Sequence, residues 1–258
     1  MDEKISNKDE LIKQATDSFF ILMKFGSKEN LEKLQQGKVY MKNLDYYINL
    51  ENETSNEDVG DKFDGLMPIH DLDISILNPE TNEPIHKFKA NMATMNLGLK
   101  KSPVMCMYIL DYRNFTNADL NDDILSIEFT FTDEQKERIS KFGDSVLLIK
   151  NTQEFFERME RGLVADKASF SRDRVKYYNK NILQHFQEVA EDYRRIAFWK
   201  RKKYEHQQEY RFLVLNKTVE DHYTFDIEDL SDISEIVPTE VILNTVTEVR
   251  HKIGLIEE

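Results

Sequence analysis

An α+β fold, with a mostly antiparallel central sheet and several peripheral helices, follows from three features of the sequence. Strand-like and helix-like segments come in runs rather than in strict alternation, which argues against a doubly wound parallel sheet. Pro and Asn punctuate the stretch from LDISIL through IHKFKANMATMNL to PVMCMYIL, as in an antiparallel meander. Segment 125–131, LSIEFTF, sets Leu125, Ile127, Phe129 and Phe131 on one face and Ser126, Glu128 and Thr130 on the other.

The elements follow in chain order. Residues 7–17, NKDELIKQATD, have the mixed charge and spaced apolar positions of a short helix, so 1–17 is expected to be an N-terminal helical segment. SFFILMKF is apolar and aromatic and predicts a first strand ending near Lys24. Gly26 and Ser27 break it, and KENLEKLQQG places Leu31 and Leu34 on one face of a helix that Gly37 stops. KVYM is the next strand. From Asn49 to Gly65 the text turns polar and acidic, which predicts a long loop, and long loops in compact domains often carry function. After the meander and LSIEFTF, TDEQKERISKF reads as a helix capped by Thr132. SVLLI is a buried strand, TQEFFERMERGL a helix capped by Thr152, and 181–200 a third helix running into EYRFLVL. YTFDI is the final strand before short closing elements.

The chain has 258 residues, 40% of them hydrophobic, and 35 Lys plus Arg against 48 Asp plus Glu, a formal charge of -13. That length buries roughly three quarters of the unfolded surface, so a single globular domain over 1–258 is expected. No run approaches the roughly 18 apolar residues of a membrane span, and MDEKISNKDE has neither a signal core nor a transit pattern. A cytoplasmic protein is the expectation. The acidity repels phosphate backbones, so nucleic acid is not the expected partner. An acidic surface can instead present itself to a protein partner.

Several chemistries fail on spacing. Asp119, Asn121 and Asp123 match the start of a calcium loop, but Ile124 and Thr130 stand where its glycine and its bidentate carboxylate belong. The six histidines include no pair at helical i, i+4 spacing, and a single Cys106 inside an apolar strand reads as an inert thiol, so no metal is expected. There is no Gly-rich phosphate loop. A nuclease built on Asp192, Glu209 and Arg211 lacks the closely spaced acidic pair with a lysine.

Three groups of residues remain as candidates. Asp61 and Asp64, in GDKFDG, suit a cation or a sugar hydroxyl, or else an Asx-stabilised turn. The stretch from Arg194 to Arg211 is the one locally basic segment, with Arg201 near its centre and aromatic residues interleaved; it can clamp a phosphate or form a solvated helix face. In QQEYRFLV, a strand puts Glu209 and Arg211 on one face and Tyr210 and Phe212 on the other. A carboxylate at the start of that strand can stabilise positive charge in a transition state, or can form a structural pair at a sheet rim.

The first strand ending in KFGS, the following helix, Gly37 before KVYM, and the late Glu-bearing strand QQEYRFLV together resemble the ADP-ribosyltransferase superfamily, in a divergent branch of bacterial and phage proteins. The resemblance covers the first fifty residues and about twenty around Glu209. It implies a protein acting on NAD or a related nucleotide, in the setting of phage–host conflict. Glu209 takes the role of the glutamate that promotes loss of nicotinamide, and Lys24 the place of the Arg or His that grips NAD. Lys offers a point charge there without the planar fork of Arg. Tyr40, Tyr46 or Tyr47 supplies the aromatic contact, and Arg211, Lys24 and the basic stretch near Arg201 hold the pyrophosphate. The competing expectation is a noncatalytic acidic protein, an inhibitor or a defence sensor, that binds a protein partner.

Overall fold

Strand pairing along PVMCMYIL organises the molecule. The computed structural model describes residues 20–54, 60–121, 124–179 and 183–252; the segment 1–17 lies outside them, as do residues 55–59 of the acidic stretch. Strand β5 (Pro103–Leu110) takes β12 (Glu209–Val214) along one edge, from Glu209 opposite Tyr108 to Leu213 opposite Val104. Its other edge is shared. Strand β1 (Ile21–Gly26) pairs with Tyr108, Ile109 and Leu110, whereas β2 (Lys38–Asn43) pairs only with Pro103 and Val104. Between them Met105, Cys106 and Met107 have a strand partner in β12 alone, so the sheet forks.

The sequence between the prongs explains the fork. Helix α1 (Lys28–Gln35) is capped by Ser27, whose hydroxyl accepts from the Asn30 amide, and it wedges Leu31 and Leu34 into the core. Gly37 turns the chain back at φ +83, where a Cβ would stand 2.2 Å from the Ile227 carbonyl oxygen, so only glycine fits. The remaining strands of the eight-stranded sheet are β8 (Ser145–Ile149), β9 (Phe170–Arg174), β13 (His222–Asp226) and β14 (Ser234–Pro238), and all its pairings are antiparallel. The fold is α+β.

Period-two alternation divides the apolar residues between two faces. On one face Met105, Met107, Tyr210 and Phe212 pack with Leu31 and with Phe155 and Phe156 from α4 (Thr152–Ala165). The other face carries two separate clusters. One sets Met23, Tyr108 and Leu110 against Leu125 and Ile127 of β7 (Ile124–Phe129), which pairs with β6 (Phe115–Asn121) and β15 (Thr247–Lys252). The other sets Val104 and Leu213 against Leu44, Met67 and Phe198. Polar side chains fill the space between these two clusters.

Several expectations change. The acidic text opens as helix, since α2 (Leu44–Thr54) runs through Asn49; Asn43 caps it by accepting from the Tyr46 amide at 2.9 Å. Asn151 rather than Thr152 caps α4, while Thr132 forms a full capping box with Gln135 on α3 (Asp133–Ile139). The third helix is shorter than expected: α5 (Leu183–Glu191) ends at Asp192, and β11 (Trp199–Arg201) follows a 3-10 turn. The expected meander is a separate hairpin of β3 (Leu66–Leu77) with β4 (Pro84–Asn96), neither of which pairs with β5. No helix among the described residues is long and apolar enough to cross a membrane.

Candidate functional site

A cavity of about 890 Å3 opens at the fork, with β5 as its floor and the diverging ends of β1 and β2 as its sides. Lys24, Tyr40, Tyr46, Tyr47 and Glu209 all line it, so the fold brings five of the nine candidate residues together.

Glu209 is placed by backbone geometry. It begins β12 directly after Gln208, a non-glycine residue at φ +37, a conformation held only when its surroundings impose it. They do so here. The Gln208 side-chain amide donates to the Ile109 carbonyl (2.8 Å) and to Asn114 (2.7 Å), and its oxygen accepts from Gln135 (3.0 Å). The Glu209 backbone amide then donates to the Tyr177 hydroxyl at 2.9 Å, from β10 (Lys176–Tyr178).

The carboxylate lies between two buried cations. Its Oε1 accepts from Lys200 Nζ at 2.6 Å and its Oε2 from Arg211 Nε at 2.6 Å. Arg211 also donates from both terminal nitrogens to Asp64, at 2.6 and 2.7 Å, and to the Ala197 carbonyl at 2.6 Å. Burial on its own pushes the Glu209 carboxyl up, but the charges of Arg211 and Lys200 outweigh it and hold the group well below the usual carboxylate range. The Lys200 pKa is raised: burial opposes its charge, and Glu209 and Asp64 more than compensate. As expected from the strand period, Glu209 and Arg211 share a face and Tyr210 and Phe212 take the other. The pair is inside the sheet, because β9 flanks β12 on its far side, and not at a rim.

Lys24 lies in the fork itself. Its ammonium donates to the Cys106 carbonyl at 2.6 Å, on the stretch of β5 that β1 and β2 leave unpaired. Burial lowers its pKa, with Cys106 and Glu209 opposing that shift. The Cys106 thiol is pushed up to about 12, chiefly by burial, so it stays protonated at neutral pH and is no nucleophile.

Tyr40 and Tyr46 occupy the outer part of the cavity, and Tyr47 lies deeper, packed against the cluster around Val104. Tyr40 stacks on His222 with centroids 4.9 Å apart, and Tyr46 meets Tyr47 edge to face at 5.2 Å. The Lys42 ammonium lies 5.6 Å from the Tyr40 ring and 4.9 Å from the Tyr46 ring. Five lysines line the cavity, Lys24, Lys33, Lys38, Lys42 and Lys141, against two carboxylates, Glu209 and Asp226. Lys33, Lys38 and Lys42 pair with Glu29, Asp226 and Asp221 through solvent-exposed contacts, which an anionic ligand displaces at little cost.

Arg201, Arg211, Asp61 and Asp64 do not line the cavity. Arg201 donates to Asp61 (2.6 and 2.9 Å), Glu51 (2.7 Å) and the Tyr204 hydroxyl (2.9 Å). Asp61 and Asp64 are buried as partners of Arg201 and Arg211, and Asp61 also accepts from the Phe63 amide at 3.0 Å in an Asx turn. The basic stretch is therefore neither an open phosphate clamp nor a solvated helix face: four of its cations, Lys200, Arg201, Lys203 and Arg211, neutralise buried acids. Asp192 pairs with Arg194 at 2.6 Å, away from the cavity.

Lys200, Gln208 and Tyr177 were not singled out in the sequence. Lys200 carried one signal, in that it directly follows the apolar run Ala197–Phe198–Trp199 and so enters the core first among the cations of its stretch. Among the described residues no group of three or more His, Cys, Asp or Glu is arranged to hold a metal ion. The site offers an ionised carboxylate in a cavity wall, a cation in the fork, exposed aromatic rings and a lysine-rich rim. Such a set can bind an anionic ligand that carries a planar ring and can stabilise positive charge developing beside Glu209. Compared with family models, curated proteins and solved structures, the chain matches none of them.

Proposed function

We propose that the fork is the active site of an ADP-ribosyltransferase-like enzyme acting on NAD or a related nucleotide. The observation that supports this reading is the convergence of Lys24, from the first described strand, and Glu209, from the twelfth, on one lysine-rimmed cavity. In the reaction the bond between nicotinamide nitrogen and ribose C1′ breaks and its electron pair leaves with nicotinamide. The ribose becomes electron-poor, and the ionised Glu209 carboxylate stabilises that charge. A nucleophile from a macromolecule or water then bonds to C1′ and gives up its proton. Lys24 and the rim lysines supply the cations for the pyrophosphate in place of Arg201 and Arg211, whose donors are taken.

Calorimetric titration with NAD, run beside Glu209→Gln and followed by a nicotinamide-release assay, tests the reading. Binding retained in the variant, with release lost by 100-fold or more, is the expected result for a group that acts mainly in the transition state, on the order of other single electrostatic contributors. Lys24→Ala is expected to weaken binding instead. A protein that neither binds NAD at millimolar concentration nor releases nicotinamide overturns it.

One observation favours the noncatalytic alternative: both Glu209 oxygens already accept hydrogen bonds, as in a structural brace. On that reading Glu209→Gln lowers stability while partner binding is unaffected by NAD.

A further inference from the structure

The four buried charges around Glu209 divide into two unequal pairs. Arg211 gives both terminal nitrogens to Asp64 and only Nε to Glu209. Lys200 makes the complementary choice, with Nζ 2.6 Å from Glu209 and 3.6 Å from Asp64. Asp64 thus has Arg211 as its principal partner, and Glu209 has Lys200. Lys200 itself is 2% exposed and does not line the cavity; a hydrogen bond to Gln207 Oε1 at 2.5 Å and the Tyr204 ring at 5.1 Å fix it in place.

We propose that Lys200 is a positioning residue: from behind the cavity wall its ammonium fixes Oε1 of Glu209 and keeps that carboxylate charged and aimed at the ligand. The proposal rests on the reading of the fork as an NAD site, but its physical core is a relation between two side chains. Removing the charge of Lys200 leaves Asp64, Glu209 and Arg211 with one uncompensated negative charge in a buried space. Asp61, whose pKa burial raises and which also feels the charge of Lys200, keeps two hydrogen bonds from Arg201, and Asp64 keeps its two-pronged contact with Arg211, so the proton that neutralises the charge goes to Glu209.

Other groups near Glu209 do not replace Lys200. Lys24 faces it from β1, but its ammonium donates to the Cys106 carbonyl rather than to Glu209, and burial disfavours its charge. Tyr47 from α2, Cys106 and Tyr108 from β5 and Tyr177 from β10 all have their pKa values raised, by burial first, and stay neutral.

The test is a carboxyl titration by NMR on the full chain labelled with 13C at the glutamate side-chain carboxyl, comparing wild type, Lys200→Met and Lys200→Arg. Glu209→Gln identifies the Glu209 resonance by deleting it. In the wild type that resonance is expected to stay ionised through the range where exposed glutamates titrate. In Lys200→Met it is expected to move up by about one pH unit or more, and in Lys200→Arg to remain low. The acid limb of nicotinamide release is expected to move up with it in Lys200→Met. A folded Lys200→Met protein with an unmoved Glu209 resonance overturns the proposal, since a purely structural lysine changes stability without changing that titration. Should Lys200→Met fail to fold, Lys200→Gln, which keeps a hydrogen-bond donor without the charge, gives the same readout. Absence of nicotinamide release from the wild type overturns the NAD reading alone, because the titration reports on Lys200 without any ligand.

Discussion

Asp64 and Arg211 meet through two parallel hydrogen bonds of 2.6 and 2.7 Å, with side chains 0% and 1% exposed. The contact ties the turn before β3 to the central strand β12 and so holds the strand that carries Glu209. A buried pair of this kind need not stabilise relative to apolar residues, but removing one member leaves an uncompensated charge. Asp64→Leu and Arg211→Met are each expected to cost about 3–5 kcal/mol in urea denaturation. The double variant Asp64→Leu/Arg211→Met is expected to cost far less than the sum. Additive losses would show that the two side chains are not energetically coupled.

What the sequence revealed follows the range of the interactions involved. Strand alternation is local, so the shared face of Glu209 and Arg211 was readable, as was the turn at Gly37. Helix α2 was missed although its signals were present: Asn43 as cap, and Leu44 and Ile48 four apart on a buried face. The acidity of the following residues concealed them, because composition describes solvation and not backbone shape. Strand β6 is hidden in the same way, in text whose Asp119 and Asn121 invite comparison with a calcium loop. For Asp61 and Asp64 the Asx turn, a local feature, is legible and is present at Asp61, but their burial against Arg201 and Arg211 is not, because those partners lie far along the chain. The same long-range pairing removed both arginines from the ligand site. The fork between β1 and β2 depends on which residues of β5 each strand pairs with, and no periodicity in either strand encodes that register.

His185 gives the fold a dependence on mildly acidic pH. Its imidazole is 2% exposed, stacked on Trp199 at 4.7 Å and close to Tyr178 at 4.9 Å, and its Nε2 has no hydrogen-bond partner among the described residues. Burial pushes its pKa down from 6.5 to about 4, with Glu188 opposing. The unfolded chain therefore binds a proton at this site between those values while the folded chain does not, so stability falls as pH drops from 6.5 towards 4 and is unaffected above 6.5. The loss attributable to this group is no more than about 3 kcal/mol. Urea denaturation of wild type and His185→Phe at pH 7.5 and pH 4.5 is expected to show a smaller drop in the variant. An equal drop in both proteins would locate the acid sensitivity elsewhere.

The β3–β4 hairpin is expected to be the least protected regular element. Its stem is anchored, since Leu66 and Met67 are buried and Met67 joins the cluster around Val104 and Leu213. Beyond the stem, Ile74 opposite Phe88 and Ile76 opposite His86 form an apolar strip, while Asp73, Ser75, Lys87 and Lys89 occupy the other side. Ile76 and Phe88 are 51% and 43% exposed, so the strip adds little burial to balance the entropy of ordering two long strands. A two-stranded ribbon with so little packing is marginal in water. Amide exchange is therefore expected to rise from the stem at Leu66 towards the turn near Asn82, while the β5 and β12 amides exchange only through global unfolding. Substitutions should follow the same gradient. Ile85→Ser is expected to change stability by less than about 0.5 kcal/mol, and Leu213→Ala to cost about 2–5 kcal/mol. Protection at the hairpin tip equal to that of β5 would mean that something covers the strip in solution.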